Sequence, residues 1–64
     1  MEKPTRTECL AWAEEDEAKA AHYRGKAAQF RKEGLDASAD LFEAFAKARD
    51  VEAKDLRLFA KTCT

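Results

Sequence analysis

Lys32-Glu33-Gly34-Leu35-Asp36 is the only break between two helical patterns of nearly equal length. Gly34 can take the left-handed conformation that ends helices, and Asp36 can cap the amides of the next one. A connection this short forces the two helices to lie antiparallel. The spacing therefore predicts an all-α chain: one domain over residues 1–64, with a helix over about 6–33, a turn at 34–36 and a second helix over about 37–62.

The first helix has a readable beginning. Thr5-Arg6-Thr7-Glu8 fits a capping box, in which the Thr5 hydroxyl accepts from the amide of Glu8 and the Glu8 carboxylate accepts from the amide of Thr5. Only Gly25 interrupts the run that follows, at a cost of about 1 kcal/mol that many Ala, Glu, Lys and Arg residues offset. At 100° per residue, Cys9, Trp12, Ala13, Ala20, Tyr23, Ala27, Phe30 and Gly34 share a stripe. Ala13, Ala20, Ala27 and Gly34 form a small-residue column within it, which admits a neighbouring backbone. Cys9, Asp16, Tyr23 and Phe30 form a mostly larger one. Asp16, a carboxylate in an apolar column, needs a cation, water at a groove or a partner. Leu10, Ala21, Ala28 and Leu35 make a thinner second line.

On the second helix, Leu41, Phe42, Phe45, Ala48, Leu56, Phe59 and Cys63 read as the broad apolar face. Arg49 and Glu52 interrupt its middle, and Ala44, Val51 and Leu58 lie on the flank. Folding at Gly34-Leu35 predicts that residues whose numbers sum to about 71 or 72 face each other. Phe30 then meets Leu41 and Phe42, Ala27 meets Phe45, Tyr23 meets Ala48, and Ala20 meets Glu52. Further along, Asp16 meets Leu56, Trp12 meets Phe59 and Cys9 meets Cys63. Arg49 can pair with Glu52 along its helix, and Lys19, Lys54 or Arg57 can serve Asp16. A polar layer of this kind fixes register or subunit number. The acidic turn Glu14-Glu15-Asp16-Glu17 falls at the level of Lys54, Arg57 and Lys61, which predicts mutual neutralisation across the hairpin.

Composition limits the function classes. Twelve basic residues against thirteen acidic ones leave a formal charge of -1, with 45% hydrophobic and 39% charged residues. That balance gives little counterion-release drive for nucleic acid. No apolar run approaches the ~20 residues that cross a bilayer, and Met1-Glu2-Lys3-Pro4 lacks the apolar stretch of a secretion signal, so the expected compartment is cytoplasmic. Cys9 and Cys63 are there expected to be thiols. The single histidine, His22, falls on a polar face, neither cysteine has a histidine beside it, and no phosphate loop or metal-ligand cluster is present. The reading is of no enzyme, no catalytic residue, no metal and no cofactor.

Tyr23, Ala27, Phe30, Gly34, Ala39 and Ala46 stand at the spacings of the aromatic, small, aromatic, glycine, alanine and alanine positions of a tetratricopeptide helix pair, so residues 23–46 resemble one such unit. The pattern departs at Lys26, Glu43 and Val51, where a leucine, an aromatic and a proline are usual. In size and type the chain also resembles small Ala-rich helical accessory proteins that bacteriophages encode to bind and disable host proteins. That resemblance implies a host regulator or ATPase as target.

Each helix carries more apolar surface than one partner helix can bury. The expectation is a homodimer, two hairpins forming a four-helix bundle, that regulates or inhibits a larger cellular protein through Leu10, Trp12, Asp16, Val51, Leu58 and Phe59. Two other readings compete with it. One is nucleic-acid association through Lys19, Arg24, Lys26, Arg31, Lys32, Arg49 and Arg57; the other is a structural subunit of a larger assembly.

Overall fold

The computed structural model of the chain describes residues 3–62. Its two helices, α1 (Arg6–Lys32) and α2 (Asp36–Thr62), form an antiparallel hairpin 48 Å long, 19 Å wide and 13 Å thick. The start of α1 is the expected capping box. The Thr5 hydroxyl accepts from the Glu8 amide at 3.1 Å, and the Thr5 amide donates to the Glu8 carboxylate at 3.3 Å.

Two backbone bonds that wrap the last turn end α1. The Leu35 amide donates to the Phe30 carbonyl at 2.9 Å and the Gly34 amide to that of Arg31 at 3.2 Å, with Gly34 at φ +80°. This is the Schellman arrangement, and it satisfies carbonyls that the helix would otherwise leave bare. α2 begins at Asp36, one residue earlier than expected, and the Ala39 amide already donates to the Leu35 carbonyl at 3.0 Å. Arg31 ties the turn from the side, reaching Asp40 at 3.1 Å, Glu43 at 2.8 Å and Asp36 at 3.8 Å. At the open end the Arg6 Nε donates to the Ala60 carbonyl at 3.1 Å, one of the carbonyls that α2 cannot satisfy internally.

The core between the helices is built of small side chains. From α1 it takes Cys9, Ala13, Asp16, Ala20 and Ala27; from α2 it takes Ala39, Ala46, Ala53 and Ala60, spaced seven apart. The α1 half keeps the small members of the expected stripe, while Trp12 and Gly34 are exposed and Tyr23 and Phe30 half-buried. The α2 half corrects it, because Leu41, Phe45, Ala48 and Phe59 are exposed, while Phe42 and Leu56 are half-buried. Volume decides the difference. A methyl group at the line of closest approach lets the axes settle toward the near end of the usual range of about 8–10 Å, and rings that would prop the helices apart turn outward beside the contact.

Each buried methyl contributes about 0.8 kcal/mol. The alanine seam therefore sets the separation of the helices, and most of the large apolar surface lies at its edges.

The facing rule holds near the turn, and the pair of Glu17 with Arg57 keeps it, within a turn, toward the open end. Phe30 stacks on Phe42 with ring centroids 5.3 Å apart. Asp16, expected opposite Leu56 and served by Lys19, Lys54 or Arg57, instead pairs with Arg49, two turns nearer the bend. The reason is the seam: with alanine rather than phenylalanine at the line of contact, Arg49 lies beside that line, within reach of α1. The proposed meeting of Cys9 with Cys63 lies outside the described residues. Cys9 itself is fully buried.

Candidate protein-binding face

The alanine seam divides the hairpin into two unlike sides. One is laced with ion pairs between the helices. Arg57 grips Glu17 through two hydrogen bonds of 2.9 and 2.7 Å, Arg24 pairs with Asp50, and Arg31 holds its carboxylates at the turn. The hydrogen bonds that Arg57 donates hold the Glu17 carboxyl below its ordinary value, and the same bonds raise Arg57 above its own. The expected neutralisation of the acidic turn is thus made by Arg57. Exposed pairs of this kind contribute little apiece, and their consequence is a side that water already satisfies.

The other side is aromatic. Tyr23 lies 5.9 Å from Phe42 and 5.7 Å from Phe45, ring centre to ring centre, and Phe42 meets Phe45 edge-on at 5.8 Å. With Phe30 these rings form one cluster beside the turn. Toward the open end, helical spacing puts Trp12, Leu56 and Phe59 on the same side. Phe45 is 43% exposed, as are Trp12 and Phe59, while Tyr23, Phe30 and Phe42 are half-buried, so the cluster borders the seam and reaches the surface.

Between the two apolar halves lies a polar layer. Arg49 donates to Asp16 at 3.3 Å and to Glu52 at 3.2 Å. Asp16 is 6% exposed, and every buried side-chain polar atom among the described residues has a partner. Partial desolvation opposes the charge of Arg49, but the Asp16 hydrogen bond and the charges of Glu52 and Asp16 outweigh it and hold the guanidinium above its ordinary value. Tyr23, Phe45, Ala48, Arg49 and Glu52 line a shallow concavity of about 410 Å³ where the layer meets the ring cluster.

The sequence-predicted contacts fall into two groups. Trp12, Asp16 and Phe59 belong to the aromatic side. Leu10 and Leu58 lie on the ion-paired side next to Arg57, lining concavities of about 310 and 370 Å³ with Lys61 in both, and Val51, seven residues before Leu58, continues that line. Val51 and Leu58 are exposed and Leu10 is half-buried. Hydropathy assigns Tyr23, Phe30, Phe42 and Phe45 to the interior; Phe45 is exposed, and the other three are half-buried at the edge of the seam. The signal that places them there is the seven-residue spacing of Ala39, Ala46, Ala53 and Ala60, which fills the seam and leaves the rings no room in it.

Among the described residues no three His, Cys, Asp or Glu side chains could together hold a metal ion, and no helix is long and apolar enough to cross a membrane. Arg24, Arg31, Arg49 and Arg57, four of the residues considered for nucleic acid, are each engaged with carboxylates of the chain. No protein-family model, curated protein or solved structure matches the chain.

Proposed function

We propose that this chain is a small, non-catalytic protein-binding module that acts as a homodimer in the cytoplasm: two hairpins meet through their aromatic sides as a four-helix bundle, and the assembly regulates or inhibits a larger protein. The observation that carries the reading is the uncovered ring cluster. Tyr23, Phe30, Phe42 and Phe45, with Trp12, Leu56 and Phe59 beyond the polar layer, make an apolar face along the length of the hairpin, while the opposite side is already closed by its own ion pairs. Contiguous apolar surface on that scale marks an interaction site, and aromatic anchors dominate interface energies.

Pairing through that side takes in Trp12 and Phe59 and leaves Leu10, Val51 and Leu58 on the outside of the bundle for the target. A target of the kind implied by the phage-protein resemblance, a host regulator or ATPase, would be gripped there. Sedimentation equilibrium at tens of micromolar tests the first half, with a dimer expected; a monomer at that concentration refutes it. Capture of one stoichiometric protein from host cytosol, lost on Leu58→Asp with the dimer retained, tests the second. Binding unaltered by Leu58→Asp overturns the assignment of that side.

A further inference from the structure

Resting on that self-pairing, we infer that the second copy packs with its two-fold axis parallel to the helices, so that each α1 lies against α2 of the other copy, both turns sit at one end, and Lys19 meets Glu52 of the second copy twice. Three observations lead there. The first is size. A face 48 Å long and 19 Å wide covers on the order of 900 Å², what each partner of a standard stable interface contributes.

The second is the placement of charge along this face. Lys19 is the middle residue of α1 and stands seven residues from Trp12, so helical spacing carries it along the α1 rim of the aromatic side. Among the described residues it makes no ion pair. Glu52 stands seven residues from both Phe45 and Phe59 on the α2 rim, one turn past Arg49, the middle residue of α2. Lys19 is one turn from Asp16 and one from Tyr23. Asp16 pairs with Arg49, and Tyr23 shares a concavity with Glu52, so Lys19 and Glu52 sit at one level on opposite rims.

The third is what symmetry does with those rims. Two faces can meet about an axis along the helices or about one across them. An axis along the helices preserves level and exchanges rims, placing each Lys19 against Glu52 of the second copy and the ring-rich half against its counterpart. An axis across the helices keeps each rim to its own kind. Because these charges lie at mid-length, it sets Lys19 against Lys19 and Glu52 against Glu52. Like charges facing each other at a rim exclude wrong partners. Glu52 is free to turn outward, its side chain being 56% exposed while it holds Arg49.

The test uses the full chain as wild type, Lys19→Glu and Glu52→Lys, each alone and the two variants mixed in equal amounts, with dissociation constants from sedimentation equilibrium. Each variant alone is expected to dissociate about tenfold more readily, since both rim contacts turn repulsive. The mixture is expected to return to the wild-type constant. Glu52→Lys also takes a partner from Arg49, and recovery on mixing separates that loss from the contact between copies. A mixture tighter than wild type is the signature of the crossing axis and overturns the inference, as do single variants that leave the constant unchanged. As a second readout, Glu33→Cys spin labels, with Cys9→Ala and Cys63→Ser, should report turns at one end of the dimer. A label separation near the 48 Å length of the hairpin overturns the arrangement and leaves the dimer standing, whereas a wild-type monomer overturns both.

Discussion

Phe42 is the side chain on which the ring cluster converges, and truncating it to alanine measures what the cluster is worth. It touches three rings at once: Phe30 at 5.3 Å, Phe45 at 5.8 Å and Tyr23 at 5.9 Å. A fully buried phenylalanine costs about 3–5 kcal/mol on truncation. Phe42 is partly exposed, which lowers that figure, and aromatic pairs add about 0.5–1.5 kcal/mol each beyond area, part of which survives as the remaining rings close up. The expected loss is about 2–3 kcal/mol. For 64 residues the total stability is on the order of 3–10 kcal/mol, so the variant should unfold at a markedly lower urea concentration. The assay is urea unfolding by circular dichroism, repeated over a range of protein concentration and extrapolated to the dilute limit so that dimer linkage is removed. Phe59→Ala is the control, because Phe59 is exposed and makes no ring contact among the described residues, and it should cost under about 1 kcal/mol. Phe30→Ala combined with Phe42→Ala should show a coupling of about 0.5–1.5 kcal/mol. Equal losses for Phe42→Ala and Phe59→Ala in the dilute limit, or a vanishing coupling, would refute the claim that the cluster holds the hairpin as well as presenting a surface.

Glycine substitution should have opposite signs at the two glycines. Gly25→Ala meets nothing within 4 Å and should stabilise by about 0.5–1 kcal/mol, whereas Gly34→Ala, at φ +80°, should cost about 1 kcal/mol or more, both read from urea midpoints. Ala46→Leu should cost about 1–3 kcal/mol by forcing bulk into the seam, against less than about 0.5 kcal/mol for the exposed Ala44→Leu, both from thermal melts. The Glu17 carboxyl is held below its ordinary 4.5 by Arg57, so its contribution is present above that value and is lost as pH falls through the lower folded value. Glu17→Gln should accordingly flatten the acid limb of the stability curve below pH 4.5 and leave its slope near neutrality unchanged; an unaltered acid limb would refute the assignment.

The parts of the fold legible in the sequence are those governed by local chemistry. The capping box at Thr5 and Glu8, the left-handed Gly34 and the brevity of the connection each follow from residues within a turn of one another, and together they define the hairpin. The small column Ala13, Ala20 and Ala27 was also legible, because it is regular and uninterrupted. Ala39, Ala46, Ala53 and Ala60 are equally regular, but hydropathy ranks Leu41, Phe42 and Phe45 above them, and ranking by oiliness hides a contact chosen for volume. The same substitution of criteria moved the site. Trp12, Asp16 and Phe59 read from the sequence both as members of the facing stripes and as contacts for a partner, while Tyr23, Phe30, Phe42 and Phe45 read as interior alone. The partner of Asp16 depends on the reach of Arg49 along the seam from nearer the turn, which no periodicity in either helix encodes.

Because alanine lines the contact, the hairpin behaves as a caliper whose jaws are set by methyl groups. Serine or glycine at those positions would narrow or keep the gap, and anything from valine upward would widen it. The angle between the two rows of rings would then open. A drift of a few cubic ångströms deep in the molecule would thus reshape the surface offered to a visitor without touching a residue that the visitor meets.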